Sequence, residues 1–167
     1  MWKEDDLEDF YEYAKVEGVG EMAGWPHHKS IEESKRILES FINEQDVYAL
    51  YYKQNQKVIG SLGVHDRDKV DGFGENQKEI GYVLSKDYWN QGIMTEAVKE
   101  VIKYCFEELN IDTLFVGHFD FNVQSKRVIE KCGFKYYDTF EKHSDRLNKT
   151  FTVLRYYLTK EDYLLKK

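Results

Sequence analysis

Apolar residues recur at a period of about 3.6 between Met94 and Leu109, and this run constrains the fold more than any other feature. It predicts one long helix with a wholly apolar inner face. The stretches Glu79–Leu84 and Thr113–Gly117, on either side of the run, each read as a buried strand. A strand, a helix and a second strand predict a parallel, right-handed crossover. The apolar members of the run are Met94, Ala97, Val98, Val101, Ile102, Cys105, Phe106 and Leu109.

The other predicted elements surround this crossover with further helices and with antiparallel strands. Ser30 and Glu33 form a capping-box pattern, which predicts the start of a helix. Further helices are predicted at Leu7–Ala14, Val123–Cys132 and from Thr159, and strands at Val47–Tyr52, Lys57–Val64, from Phe134 and at Thr150–Leu158. No linker or repeat divides residues 1–167, so we expect a single domain. Its fold class is α/β, with a mixed, mostly antiparallel sheet and helices on both faces.

Composition narrows the classes of function that the chain can serve. No apolar run approaches the roughly 18 residues of a membrane span, and the first residues lack the pattern of a secretory signal, so we expect a cytoplasmic protein without a membrane partner. The formal charge of −7 disfavours nucleic acid as a partner. Cys105 and Cys132 lie far apart, and the adjacent His27 and His28 have no ligand pattern near them, so we predict no metal site.

The stretch Tyr88–Ala97 joins the predicted strand to the long helix, and it is the candidate binding turn. The first backbone N–H groups of a helix have no partner within the helix, and the helix dipole adds partial positive charge there. Gly92 lets a backbone approach phosphate oxygens closely, so a diphosphate could bind without a lysine. The turn is not a P-loop, and Gly72–Gly74 lacks the third glycine of a dinucleotide fingerprint.

Several further motifs occur in a fixed order along the chain. They are Met22–Pro26 with Ser30–Glu33, Glu79–Tyr82, the Asn-x-x-Ser motif Asn122–Ser125, the Glu-Lys-x-Gly-Phe motif Glu130–Phe134, and Tyr157–Tyr163. Through them the chain resembles the GNAT superfamily of acetyl-CoA-dependent N-acetyltransferases. It is most similar to the branch that includes the RimJ/RimL ribosomal-protein N-terminal acetyltransferases, and the resemblance covers nearly the whole chain.

The resemblance implies a GNAT-like fold in which the central parallel strands splay apart and the pantetheine arm of acetyl-CoA lies between them. The cofactor contacts that it implies are the backbone of Tyr82, Val83 and Leu84, the turn residues Asn90, Gln91, Gly92, Ile93, Met94 and Thr95, and the motif residues Asn122 and Ser125. Of the family's signature in this turn only the central Gly92 is kept, and Asn90 and Met94 replace small residues. Relatives also begin with a strand, which we expect to be short or absent before Leu7.

The resemblance further implies a catalytic base and an acid. Glu79 is the candidate base, against the alternative of a solvated strand residue, and His65 and His118 are other candidates. Many members protonate the leaving thiolate with a tyrosine, but that position here is Ile129. Ser125 is therefore the candidate acid, against the alternative of a surface serine. Asn122 could contact the cofactor, cap the following helix, or do both.

The acceptor that the resemblance implies is a primary amine, either a protein N-terminus or a small molecule. Trp25, Pro26 and His27 are the candidate lining of its groove, because loops carry specificity on such scaffolds. Many relatives form dimers, so a homodimer is one expectation. A catalytically silent acyl-CoA-binding or regulatory domain is the alternative function.

Overall fold

Five α-helices and six β-strands follow one another along the chain, and the computed structural model describes all of residues 1–167. The helices are α1 (Leu7–Ala14), α2 (Ile31–Glu44), α3 (Ile93–Glu107), α4 (Val123–Lys131) and α5 (Lys160–Leu165). The strands are β1 (Val47–Tyr52), β2 (Lys57–Asp66), β3 (Gln77–Leu84), β4 (Thr113–Phe119), β5 (Lys135–Ser144) and β6 (Lys149–Thr159). A 3-10 turn and no strand precedes α1, which confirms the expected departure from the family.

The strands form one open sheet in the order β1-β2-β3-β4-β6-β5, and the whole has an α/β fold of the GNAT type. β3 and β4, joined through α3, are its one parallel pair, which confirms that the predicted crossover is parallel and that the sheet is mostly antiparallel, while its right-handedness stays a prediction. Their pairing runs from Gln77 with Thr113 to Ile80 with Val116 and then stops. β3 continues to Leu84 without β4 as its ladder partner, as the predicted splay requires.

The chain groups into two compact units, of which unit 1 comprises Met1–Gly63, Tyr82–Gln91 and His143–Thr150. Within it α1 packs against α2 and both bury their apolar faces. α2 begins where predicted, because the Ser30 hydroxyl accepts a hydrogen bond from the Glu33 N–H at 3.2 Å. The buried core of unit 1 consists of Trp2, Phe10, Tyr13, Ala14, Val19, Leu38, Val47 and Val58.

Unit 2 comprises Val64–Gly81, Gly92–Lys142 and Phe151–Lys167. In it α3 packs against α4, and α3 buries a stripe made of Met94, Val98, Ile102, Cys105 and Phe106. Leu109 was wrongly predicted to continue this face, because α3 ends at Glu107 and the Leu109 side chain is 41 % exposed. The grouping of all residues into one domain stays a prediction.

Two strands extend two residues beyond their predicted C-terminal ends. β2 continues to Asp66 rather than Val64, and β4 continues to Phe119 rather than Gly117. The last residues of β4 belong to the strand because they pair with β6, from Gly117 opposite Arg155 to Phe119 opposite Val153. A ladder partner this distant in the sequence leaves no local signal at the strand end.

Candidate active site

Two left-handed residues, separated by Gln91, shape the turn before α3. Asn90 has a φ of 61° and Gly92, the N-cap of α3, has a φ of 76°. No side chain caps α3, so the N–H groups of its first turn are left for another partner. A Cβ at Gly92 would meet no atom within 4 Å. The turn therefore offers uncapped N–H groups and open space at the positive end of a helix dipole, which is suited to an anion.

Two side chains of this turn, those of Gln91 and Met94, have defined places in the structure. Met94 is 5 % exposed and belongs to the apolar stripe of α3, so it can offer the turn only its backbone N–H. The Gln91 side chain donates a hydrogen bond to the Asp87 carbonyl at 3.1 Å. Ile93 and Thr95 are half-buried. Met94, one of the two residues that depart from the family's signature, thus does not fill the turn with its side chain.

The last residues of β3, Tyr82, Val83 and Leu84, lie in unit 1 with the residues that precede the turn. The Trp89 indole N–H donates to the Leu84 carbonyl at 2.8 Å, so this carbonyl is already satisfied within the chain. A Cβ at Gly60 would lie 2.4 Å from the Val83 carbonyl oxygen, so only glycine fits beside this part of β3.

Asn122 and Ser125 lie together at the start of α4 in unit 2. The Asn122 side chain accepts a hydrogen bond from the Ser125 N–H at 3.1 Å, so Asn122 is the N-cap of α4. Both residues are 9 % exposed, so Ser125 is not a surface serine. At the other end of α4, the Cys132 thiol lies 3.8 Å from the Thr95 carbonyl in the first turn of α3. Ser125 and Cys132 are about 10 Å apart along α4. A ligand that contacts both Ser125 and the first turn of α3, which lies beside Cys132, must therefore be elongated.

Glu79 lies opposite Phe115 in the parallel ladder, one residue before its last pair. Its side chain is 45 % exposed and lies 3.6 Å from the guanidinium of Arg67. A carboxylate that borders the point where β3 and β4 part is accessible to a ligand from solvent. Arg67 could not be identified from the sequence, because it lies in a polar loop where one charged residue gives no periodic signal.

The alternative base His118 is buried on β4, and its contacts differ from those of Glu79. Its Nδ1 lies 2.7 Å from the Phe119 carbonyl oxygen and its Nε2 lies 3.2 Å from the Tyr156 hydroxyl. Burial raises the pKa of Tyr156. Tyr156 was also missed, since in the sequence it is only one of the alternating residues of β6. His65, the third candidate, is half-buried on β2.

The predicted acceptor loop is held together by contacts within unit 1. His27 Nδ1 lies 2.7 Å from a Glu21 carboxylate oxygen, and Trp25 packs against the ring of His28 at 5.1 Å. His28 is buried and its Nδ1 lies 2.6 Å from the Ser34 hydroxyl, so the two adjacent histidines have separate partners. Burial lowers the pKa of His28. Pro26, between Trp25 and His27 in the sequence, is half-buried. A role of Trp25, Pro26 and His27 in acceptor binding stays a prediction.

No group of three or more His, Cys, Asp or Glu side chains is placed to hold a metal ion. No helix has the length and apolar character needed to cross a bilayer.

Comparisons with known proteins agree with this architecture. The model of the GNAT acetyltransferase domain matches residues 1–135. The uncharacterized N-acetyltransferase YnaD of Bacillus subtilis is 30% identical over 138 residues, which cover 77% of this chain and 81% of YnaD. A GNAT-family acetyltransferase from Bacillus anthracis has a similar crystal structure, with a TM-score of 0.84, 22% identity, and coverage of 96% of this chain and 92% of that chain.

The fold is also shared with spermidine N-acetyltransferase from Vibrio cholerae, whose crystal structure contains CoA and spermine. That similarity has a TM-score of 0.77 at 15% identity and covers 97% of this chain and 94% of the other. Since the domain model spans most of the sequence, the chain belongs to the GNAT acetyltransferase family and is an N-acetyltransferase.

Proposed function

We propose that this chain transfers an acetyl group from acetyl-CoA to a primary amine by direct attack in a ternary complex, as a member of the RimJ/RimL-like branch. The observation that carries the proposal is the position of Glu79, a half-exposed carboxylate one residue before the β3–β4 ladder ends. Acyl transfer needs a base there, because an ammonium has no lone pair with which to attack a thioester.

In this mechanism each of the proposed site residues has one task. Glu79 takes one proton from the acceptor ammonium, and the neutral nitrogen then forms a bond to the thioester carbonyl carbon. As the carbon–sulfur bond breaks, the departing thiolate receives a proton from the Ser125 hydroxyl. The new amide nitrogen loses its second proton to solvent, and Ser125 regains its proton from solvent. The uncapped N–H groups from Gly92 to Thr95 would hold the diphosphate of acetyl-CoA, and Asn122 would contact its pantetheine arm.

The cysteines support direct transfer over a covalent acyl-enzyme. A cysteine nucleophile acts as the thiolate and therefore needs a lowered pKa. Burial instead raises the pKa of both Cys105 and Cys132 to about 11. Neither thiol is thus prepared to accept the acetyl group at neutral pH.

The test of the proposed base is thiol release from acetyl-CoA by the Glu79→Gln variant. With N-terminal peptides, polyamines, amino sugars and amino acids as acceptors, we expect kcat to fall by roughly 10²- to 10⁴-fold relative to the unmodified chain. Glu75→Gln is the matched control, because Glu75 is exposed, lies just before β3 and pairs only with Lys69.

Equal rates for the two variants would contradict the role of Glu79. If no acceptor releases thiol while acetyl-CoA still binds, the alternative of a catalytically silent acyl-CoA-binding domain replaces the proposal.

A further inference from the structure

Arg67, which directly follows β2, is a buried cation with an open hydrogen-bond donor. Its side chain is 8 % exposed. Nε donates to the Asp68 carbonyl at 3.1 Å, but the buried Nη1 has no hydrogen-bond acceptor. A guanidinium stays charged in proteins, and leaving one of its donors buried and unpaired is unfavourable. The group therefore lacks a partner of opposite charge at hydrogen-bond distance.

The surroundings of Arg67 form an aromatic floor on one face of β4 in unit 2, made of Phe73, Phe115, Tyr137 and Tyr157. The Arg67 guanidinium carbon lies 3.8 Å from the centroid of the Phe115 ring. A guanidinium stacked on a ring keeps its in-plane N–H groups free for a planar anion. This arrangement orients the open donors of Arg67 without neutralising its charge.

A second arginine on the same floor has the partner that Arg67 lacks. Arg155 lies over Tyr137 at 5.0 Å, and its Nε and Nη2 donate to the two Asp138 carboxylate oxygens at 2.9 and 2.6 Å. The carboxylate that faces Arg67 is Glu79, and its oxygen is 3.6 Å from Nη1, too far for a hydrogen bond. The Arg155 guanidinium is thus paired with a carboxylate, whereas Nη1 of Arg67 has no hydrogen-bond acceptor and lies beside Glu79, the proposed base.

We propose that Arg67 and Glu79 together recognise an acceptor in which an amine and a carboxylate are neighbours, as in a free α-amino acid. This inference rests on the proposed function and names its substrate class. The acceptor carboxylate pairs with Arg67 and its ammonium pairs with Glu79, which then removes the proton. No hydrogen bond fixes Glu79, so rotation of its side chain can admit the carboxylate to Nη1.

The same charges disfavour the other acceptor classes. In a polyamine every charged group is a cation, and Arg67 would repel it. At a protein N-terminus the α-amine is next to a neutral amide, which would leave the Arg67 charge buried and unpaired. An amino acid supplies both complementary charges at adjacent atoms.

The experiment compares each of the standard L-amino acids with its C-terminal amide, both as acceptors in thiol release and as ligands of the CoA-saturated chain by calorimetry. We expect at least one amino acid to exceed its amide by roughly 10- to 100-fold in kcat/KM and in affinity. In Arg67→Met the ratio of amino acid to amide should approach one, because only the amino acid loses kcat/KM and affinity. Arg67→Lys should be intermediate, because lysine keeps the positive charge but lacks the planar guanidinium that stacks on Phe115.

Lys69→Met is the matched control, since it removes an exposed cation from the same loop and should leave the ratio unchanged. Equal binding of acids and amides, or no amino-acid binding at all, would overturn the inference. An Arg67→Met variant in which kcat/KM and affinity fall equally for the amino acid and for its amide would also overturn the inference, because that result would assign Arg67 only a structural role. Amino-acid binding without thiol release would leave this site standing and contradict the proposed function instead.

Discussion

At Glu21 a single carboxylate organises the loop between α1 and α2. Its oxygens accept hydrogen bonds from the Gly18 N–H at 2.9 Å and from the His27 N–H at 3.0 Å, and His27 Nδ1 lies at 2.7 Å. Burial raises the pKa of Glu21, but the hydrogen bonds from His27 and Gly18 lower it more, to about 2. The ionised form of Glu21 therefore stabilises the folded loop.

Glu21→Gln tests this stabilisation and its dependence on pH. The pKa is about 2 when folded against an ordinary 4.5, so the contribution is complete above pH 4.5 and declines as the pH falls towards 2. We expect the variant to lose about 1–2 kcal/mol of unfolding free energy at pH 7 and less at pH 3, by urea denaturation. Glu17→Gln, an exposed carboxylate in the same loop, should change little at either pH. A loss in Glu21→Gln that is the same at both pH values would contradict this account.

At the scale of elements, three helices begin at a side-chain cap. Ser30, Asn122 and Thr159 each accept a hydrogen bond from the backbone N–H three residues later. All three caps were predicted, because the cap depends only on residue type and spacing. The hydrogen bond of the Glu33 carboxylate was not predicted correctly. This carboxylate accepts from the Lys29 N–H instead of completing the capping box at Ser30.

Two substitutions at Asn122 separate its structural task from the proposed cofactor contact. Asn122→Ala removes the cap of α4 and should cost about 1 kcal/mol of stability, which for a chain of this size lowers Tm by about 2–4 °C. Asn122→Ser keeps a capping oxygen and should preserve Tm. Both variants should bind CoA more weakly in calorimetry, because both lose the side-chain amide. Full CoA affinity in Asn122→Ser would limit Asn122 to its cap.

At the scale of the whole molecule, the crossover of β3, α3 and β4 was predictable because its periodic and apolar patterns are local. Pairs between distant segments were not predictable. The sequence gives no sign that Arg67 faces Glu79 or that the Tyr156 hydroxyl meets His118, because only the tertiary fold brings these groups together.

We propose that the turn before α3 binds the diphosphate of acetyl-CoA, and calorimetry with CoA and with pantetheine, which lacks the diphosphate, tests this binding most directly. Gly92→Asp places a negative charge at the turn, and Gly92→Asn is a neutral control of the same shape that also tolerates a positive φ. We expect Gly92→Asp to weaken CoA binding at least about tenfold relative to Gly92→Asn, with pantetheine binding equal in both. Equal CoA affinity in the two variants would contradict the claim.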